Sequence, residues 1–240
     1  MKKIKFERVP THIPGFDKLV DGGFKNGSIN LIIGGAGSGK TIFSVAYLVN
    51  GILKHKEPGL YITFEEKREE LYENMSEFGW DLAKLEKDKM FIFLEYSPER
   101  VKRLLVEGGG LIENIITKYK IKRLVIDSIT SFVLLYQDEL MKKEASLSLF
   151  SLLRSWDCTT LLTSEKYIVN MEKVESGGLE FEVDSIILMY HIKEHGIRKR
   201  AMEVLKMRAT KHAIKTLKME INDKGVIVYP NKIVVFKNEF

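Results

Sequence analysis

Short apolar runs alternate with amphipathic stretches through roughly the first three quarters of the chain. The runs are rich in β-branched residues and have the length of buried strands; they lie at residues 31–33, 59–65, 90–96, 121–127 and 158–163. Between them, apolar residues recur every three or four positions, which predicts helices at 42–49, 67–78, 111–119 and 139–156. Another helix is predicted to open at Pro98 and to be interrupted at 107–110. Such alternation predicts an α/β fold, a parallel sheet with helices on both faces.

The pattern changes after residue 180. A strand is predicted at 183–190, a turn at residues 195–196, and further strands at 200–207, 217–221 and 226–229. Consecutive hairpins predict a C-terminal antiparallel β extension of the sheet. We find no repeat, linker or low-complexity tract, so residues 1–240 are predicted to form a single domain.

Composition and charge limit the classes of protein to which this chain can belong. The one cysteine, Cys158, excludes an internal disulfide and fits a reducing compartment. Neither a signal peptide nor an apolar run long enough to span a bilayer is present, so we predict a cytoplasmic protein without membrane contact. The net charge of +5 is uneven, because residues 190–240 hold 12 Lys and Arg against 5 Asp and Glu. This basic region could meet phosphates or could be a solvated hairpin face.

Residues 34–41 spell GGAGSGKT, which matches the phosphate-binding loop pattern G-x-x-x-x-G-K-[ST]. A predicted strand precedes this loop and a predicted helix follows it. The backbone N–H groups of such a turn cradle phosphate oxygens, Lys40 adds a cation at the β- and γ-phosphates, and Thr41 offers a hydroxyl to Mg²⁺. The predicted nucleotide-binding residues are Gly34, Gly35, Ala36, Gly37, Ser38, Gly39, Lys40 and Thr41.

Hydrolysis also needs a metal-binding acid and a base for water. Asp127 ends an apolar strand, as a Walker B aspartate does, so we predict that it binds Mg²⁺ together with Thr41. The next residue is a serine, so the base must lie elsewhere. Glu65 is our candidate base, with Glu66 supporting it or, alternatively, opening the next helix. Thr163 and Ser164 end another apolar strand and could sense the γ-phosphate or cap the strand.

Several stretches taken together resemble the KaiC-like branch of the RecA-type ATPases, over essentially the whole chain. They are RVPTHIPGFDKLVDGGFKNGS, GGAGSGKT, EPGLYITFEE, FGWDL, LVIDSIT, LEFEVDSIILM and VLKMRATKH. The resemblance implies a RecA-like parallel sheet that binds ATP and Mg²⁺. The chain departs from the family pattern at His12 and Ala209, where glycine is common. It also has Glu180 and Phe181 where an autophosphorylated family member carries Ser-Thr, so we expect no autophosphorylation at that place.

The resemblance also implies roles for residues in two parts of the chain. The paired glutamates of the FEE stretch, here Glu65 and Glu66, flank the attacking water. The K-x-R motif, here Lys206 and Arg208, reaches into the neighbouring subunit's site and touches the γ-phosphate. We therefore expect Lys40, Glu65, Glu66, Lys206 and Arg208 to be catalytic. The neighbour's contribution requires a homo-oligomeric ring or filament, usually a hexamer.

The expected function is a slow, Mg²⁺-dependent ATPase whose turnover switches a protein partner or its own assembly state. One alternative is a DNA-binding recombinase paralogue of the same superfamily. The segments at 131–144 and 166–179, where such proteins bind DNA, are roughly neutral, so nucleic acid is not favoured. Another alternative is a nucleotide-binding scaffold with negligible turnover.

Overall fold

The computed structural model describes residues 6–97, 99–100, 110–165 and 179–236. Its strands are β1 (Arg8–Val9), β2 (Phe24–Lys25), β3 (Ile29–Gly34), β4 (Gly59–Thr63), β5 (Phe91–Glu95), β6 (Arg123–Asp127), β7 (Thr159–Glu165), β8 (Ser185–Glu194), β9 (Ile197–Met207), β10 (Leu217–Asn222) and β11 (Gly225–Ile233). Its α-helices are α1 (Lys40–His55), α2 (Arg68–Ser76), α3 (Leu82–Lys87), α4 (Gly110–Tyr119), α5 (Ile129–Val133), α6 (Glu139–Ser155) and α7 (Leu179–Glu182). A 3₁₀ helix covers Asp17–Leu19.

Nine of these strands form one sheet in the order β11-β10-β9-β8-β3-β7-β6-β4-β5, and β1 pairs with β2 separately. The strands from β8 to β5 in that order run parallel to one another. Strands β9, β10 and β11 add to the β8 edge as an antiparallel extension. The predicted fold class is therefore confirmed.

Each face of the sheet carries its own hydrophobic core, because side chains alternate along a strand. On β3, Ile32 packs into the core shared with α1, α2 and α3. Its neighbours Leu31 and Ile33 pack into the opposite core, which α4, α5 and α6 cover. All six residues of β3 are buried, which explains why its sequence is an apolar run rather than an alternating one.

Parallel strands bring their carboxyl ends to one edge of the sheet. Gly34 of β3 lies beside Glu165 of β7, and Thr63 of β4 lies beside Asp127 of β6. The chain segments that follow Gly34, Thr63 and Asp127 therefore meet above the same edge, where ligands bind in open α/β sheets.

Some element boundaries differ from the predictions. Strand β4 ends at Thr63 rather than at residue 65, because the Thr63 hydroxyl accepts hydrogen bonds from the N–H groups of Glu65 (3.3 Å) and Glu66 (3.0 Å) and turns the chain. The helices α3 and α5 were not predicted, since five or six residues show too little periodicity. The helix predicted at Pro98 falls largely on residues outside the described ranges. Within those ranges, none of the helices combines the length and apolar character that crossing a bilayer requires.

Candidate nucleotide-binding and catalytic site

The glycine-rich loop joins the end of β3 to the start of α1. Gly37 and Gly39 adopt φ angles of 72° and 99°, in the left-handed region that glycine tolerates best. Gly34 is required for a different reason: a Cβ there would lie 2.5 Å from the carbonyl oxygen of Met189 on β8. The loop can therefore adopt this close, tightly turned path only with glycine at these positions.

Lys40, the first residue of α1, is only 6% exposed. Its Nζ donates a hydrogen bond to the Gly35 carbonyl oxygen at 3.2 Å and lies 3.7 Å from Glu165 Oε1. The Lys40 ammonium group is thus held by two protein oxygens, one from Gly35 and one from Glu165. These are weaker partners than a triphosphate, which carries several negative charges.

The carboxylate of Asp127 is the centre of a hydrogen-bond network. Its Oδ2 accepts from the hydroxyls of Thr41 and Tyr61, each at 2.8 Å. Its Oδ1 accepts from the Thr163 hydroxyl at 2.5 Å. Thr163, considered above as a phosphate sensor or a strand cap, is therefore placed on the aspartate. The neighbouring Ser164 hydroxyl lies 3.4 Å from that of Thr130.

This oxygen-rich cluster suits Mg²⁺, which prefers oxygen ligands and retains several waters. The Thr41 hydroxyl and the Asp127 carboxylate are already adjacent, and no nitrogen or sulfur donor takes part in the hydrogen bonds that the structure gives this carboxylate. When bound, the ion would neutralise charge on the phosphates. Thr41 and Asp127 would hold it, while Tyr61 and Thr163 would keep the carboxylate oriented.

The two candidate glutamates have different surroundings. Glu65 is exposed, and its carboxylate accepts a hydrogen bond from the Ser131 hydroxyl on α5. Glu66 is half-buried; burial chiefly, and then the Asp127 charge, raise the pKa of its carboxyl, while a hydrogen bond from Asn74 lowers the pKa in part. Glu65 is thus the more accessible carboxylate, as a base for water would need to be.

The raised pKa of Glu66 leads to a stability prediction. The folded state disfavours the Glu66 carboxylate, so the stability linked to this group is present at acidic pH and is lost as the pH rises through the raised pKa. We expect Glu66→Gln, which keeps the shape without the charge, to raise the melting temperature of the nucleotide-free protein at neutral pH by about 2 °C. The gain should vanish below about pH 4.5, the ordinary pKa of glutamate. Thermal unfolding over a pH series measures the rise in melting temperature and its dependence on pH. An equal rise at every pH would contradict the electrostatic cause.

Lys206 and Arg208 are not close to this cluster in the same chain. Met207, between them, pairs with Ser185 at the start of β8, whereas the loop lies beside Met189. The two positions on β8, Ser185 and Met189, are four residues apart, a rise of about 13 Å along the strand. Arg208 instead lies 3.9 Å from the Asp184 carboxylate and donates to the Phe181 carbonyl at 2.5 Å.

Sequence reasoning missed two residues that adjoin the loop, Arg200 and Ile221, and one that contacts Asp127, Tyr61. Arg200 Nε of β9 donates to the Gly37 carbonyl at 2.9 Å. Ile221 of β10 would lie 2.9 Å from a Cβ on Gly39. Arg200 and Ile221 also line a cavity of about 610 Å³, together with other residues of β9 and β10, the last residues of β8 and β11, and residues 234–235. Arg200 belonged to the basic stretch noted above, but no sequence signal pairs it with the loop. Tyr61 on β4 likewise carried no signal.

The geometry defines a nucleotide-binding protein with a phosphate-binding loop and a RecA-type sheet. The family model described as "ATPase: KaiC" matches residues 9–233. The chain belongs to this KaiC ATPase family.

Similar proteins agree with this assignment. The chain is 34% identical over 229 residues to the circadian clock oscillator protein KaiC of Synechococcus elongatus, covering 93% of this chain and 44% of that protein. It is 35% identical over 232 residues to the circadian clock protein KaiC3 of Synechocystis, covering 93% and 46%. The crystal structure of a KaiC-like protein from Pyrococcus horikoshii superposes with a TM-score of 0.82 at 34% identity, covering 94% of this chain and all of that one. The chain thus spans about half the length of the clock proteins it matches.

Proposed function

We propose that this chain is a slow, Mg²⁺-dependent ATPase that assembles with copies of itself and hydrolyses ATP at the interfaces between them. The turnover switches either a protein partner or the assembly itself. The observation that carries the proposal is the convergence of Lys40, Thr41 and Asp127 above the carboxyl edge of the sheet. We place its action in the cytoplasm, as predicted from the sequence.

The binding half of the proposal rests on the loop and its surroundings. The glycine-rich turn and the N-terminus of α1 favour an anion, and Lys40 provides a buried cation for the phosphates. Arg200 and Ile221, which adjoin the loop, also line a cavity whose volume is sufficient for the base and sugar. A triphosphate nucleotide therefore fits both the charge and the space.

The catalytic half rests on Glu65. Its exposed carboxylate, oriented by the Ser131 hydroxyl, would accept a proton from the attacking water, and Glu66 would support it. The charge that develops on the phosphates requires further cations. Lys40 supplies one from the same chain, and we propose that Lys206 and Arg208 of an adjacent copy supply the others. Their position at the opposite end of the sheet supports action on a neighbour's nucleotide.

The relatives' role in circadian clocks is not carried over, because this chain covers less than half of the length of those proteins. No observation among the described residues favours the recombinase alternative. Salt-dependent gel shifts with single- and double-stranded DNA would test that alternative directly.

Lys40→Ala is the direct test of the ATPase proposal. We expect it to abolish ATP binding at concentrations that saturate the wild type, and phosphate release with it, since the buried cation at the loop is removed. Lys54→Ala, which removes an exposed lysine of the same helix, is the matched control and should leave both unchanged. Isothermal titration and a phosphate-release assay measure the two quantities. Undiminished turnover in Lys40→Ala would refute the proposal. A wild type that binds ATP without hydrolysing it would support the alternative of a nucleotide-binding scaffold.

A further inference from the structure

Two histidines from distant parts of the chain face each other at the end of α1 opposite the phosphate-binding loop. His12 follows β1, and His55 is the last residue of α1. Their Nε2 atoms lie 2.6 Å apart, and their rings stack with centroids 4.9 Å apart. Both side chains are exposed. The site is therefore open to solvent and separate from the nucleotide cluster.

The loop that carries His12 is held in place by local hydrogen bonds. The carboxylate of Asp17 accepts from the Thr11 N–H (3.0 Å), the Thr11 hydroxyl (2.7 Å) and the His12 N–H (2.9 Å). These contacts hold His12 at a φ of 55°, an uncommon conformation for a residue with a side chain. The His12 imidazole is thus presented from a fixed backbone, which lowers the entropy cost of using it as a ligand.

His55 is fixed from the other side. It closes the last turn of α1, and Lys56 ends the helix with a φ of 57° and a backbone N–H that bonds to the carbonyls of Gly51 and Ile52. The His55 ring therefore projects from a rigid helix end towards His12. Because both rings are exposed, each can rotate without disturbing the core.

The charges around the pair have both signs. Asp17 favours a cation near His12, whereas Lys54 and Arg123 oppose one. Partial desolvation of the exposed ring, and then the neighbouring His55, lower the pKa of His12, which favours its neutral form. A neutral imidazole carries the free lone pair that a metal ion requires.

We propose that His12 and His55 form a two-imidazole binding site for a divalent first-row transition-metal ion such as Zn²⁺, Ni²⁺ or Cu²⁺. Imidazole nitrogen suits these ions and does not suit Mg²⁺. A Zn–N bond is about 2.0–2.1 Å, so two nitrogens on one ion lie about 3.0–3.4 Å apart. The rings therefore need to separate by less than about 1 Å from their present 2.6 Å.

Water completes the coordination of the ion. Among the described residues, no group of three or more His, Cys, Asp or Glu side chains is placed to hold a metal, and the Asp17 oxygens are engaged by Thr11 and His12. The bound ion would cross-link the loop after β1 to the end of α1. Since the unfolded chain does not hold residues 12 and 55 together, binding stabilises the folded state.

The test titrates untagged, nucleotide-free protein with ZnCl₂ by isothermal titration, and measures thermal unfolding with and without Zn²⁺. We expect His12→Gly and His55→Gln to lower the affinity of this site for Zn²⁺ by about tenfold or more, and to remove the Zn²⁺-dependent rise in melting temperature. Glycine accepts a φ of 55° without strain, so His12→Gly keeps the loop folded.

The matched control is His195→Asn. His195 is another exposed histidine at positive φ, 49°, in the turn between β8 and β9, and its replacement should leave Zn²⁺ binding unchanged. The proposal is overturned if the wild type shows no Zn²⁺ binding, or if His12→Gly and His55→Gln bind Zn²⁺ as tightly as the wild type. It is independent of ATP turnover, which His12→Gly should not alter.

Discussion

Arg208→Ala should lower the rate of ATP hydrolysis by about a thousandfold or more while ATP binding changes little, since arginine fingers contribute on that scale. Arg208 follows Met207, whose strand position lies about 13 Å along the sheet from the loop of its own chain, and its guanidinium contacts Asp184 and Phe181, so its loss does not disturb that loop. If it completes a neighbour's site, removing it withdraws a cation at the moment when charge develops on the phosphates. Phosphate release under saturating ATP, with affinity measured separately, distinguishes the two effects.

Arg154→Ala is a matched control for this change. Arg154 lies 3.3 Å from Asp184, the same carboxylate that Arg208 approaches at 3.9 Å. Its removal therefore disturbs the same ion-pair cluster but leaves the K-x-R motif intact. A similar loss of turnover in both variants would assign Arg208 a structural role at Asp184 instead of a role at a neighbour's nucleotide.

Mixing two inactive variants tests whether the arginine acts between chains. Arg208→Ala keeps Glu65 but lacks the finger, whereas Glu65→Gln keeps the finger but lacks the base. In an equimolar mixed ring, about one interface in four combines the intact parts of both. We expect ATP turnover to recover towards about a quarter of the wild-type rate. If the mixture stays as inactive as its components after the subunits have exchanged, the arginine does not act in trans.

Much of the fold could be predicted because its signals are local. The glycine pattern of residues 34–41, the apolar run that ends at Asp127, and the change to hairpins after residue 180 each depend on a few consecutive residues. Parallel strands then place their carboxyl ends together by geometry alone. That rule is why Lys40, Thr41 and Asp127 could be predicted as neighbours before the structure was known.

The rest of the site depends on contacts that leave no sequence pattern. Tyr61 and Thr163 reach Asp127 from two different strands. The position of Tyr61 indicates only a buried strand residue, and Thr163 was predicted as a γ-phosphate sensor or a strand cap, not as a partner of Asp127. Arg200 contacts the phosphate-binding loop only because β9 folds back along β8, which brings residue 200 opposite residue 191. The His12–His55 contact spans 43 residues, and neither histidine lies in a metal-binding motif.

Glu65→Gln should lower turnover by about 10²- to 10⁴-fold, the usual contribution of a general base, and leave ATP affinity unchanged. Glutamine keeps the size of the side chain and an oxygen that can accept from Ser131, so the change removes the basicity and little else. The rate of phosphate release at saturating ATP measures the loss. The control is Glu69→Gln, which neutralises an exposed glutamate in the first turn of α2. It should leave both turnover and ATP affinity unchanged.

Ser131→Ala separates the basicity of Glu65 from its orientation. This variant leaves the carboxylate in place but removes the hydroxyl that donates to it. A freed carboxylate spends less time aligned with the attacking water, so we expect a smaller loss of turnover than in Glu65→Gln, with the same ATP affinity. If Glu65→Gln hydrolyses ATP as fast as the wild type, Glu65 is not the base. The half-buried Glu66, whose pKa is raised and which therefore holds a proton more readily, would then be the carboxylate to test, since a better proton acceptor is also a better base.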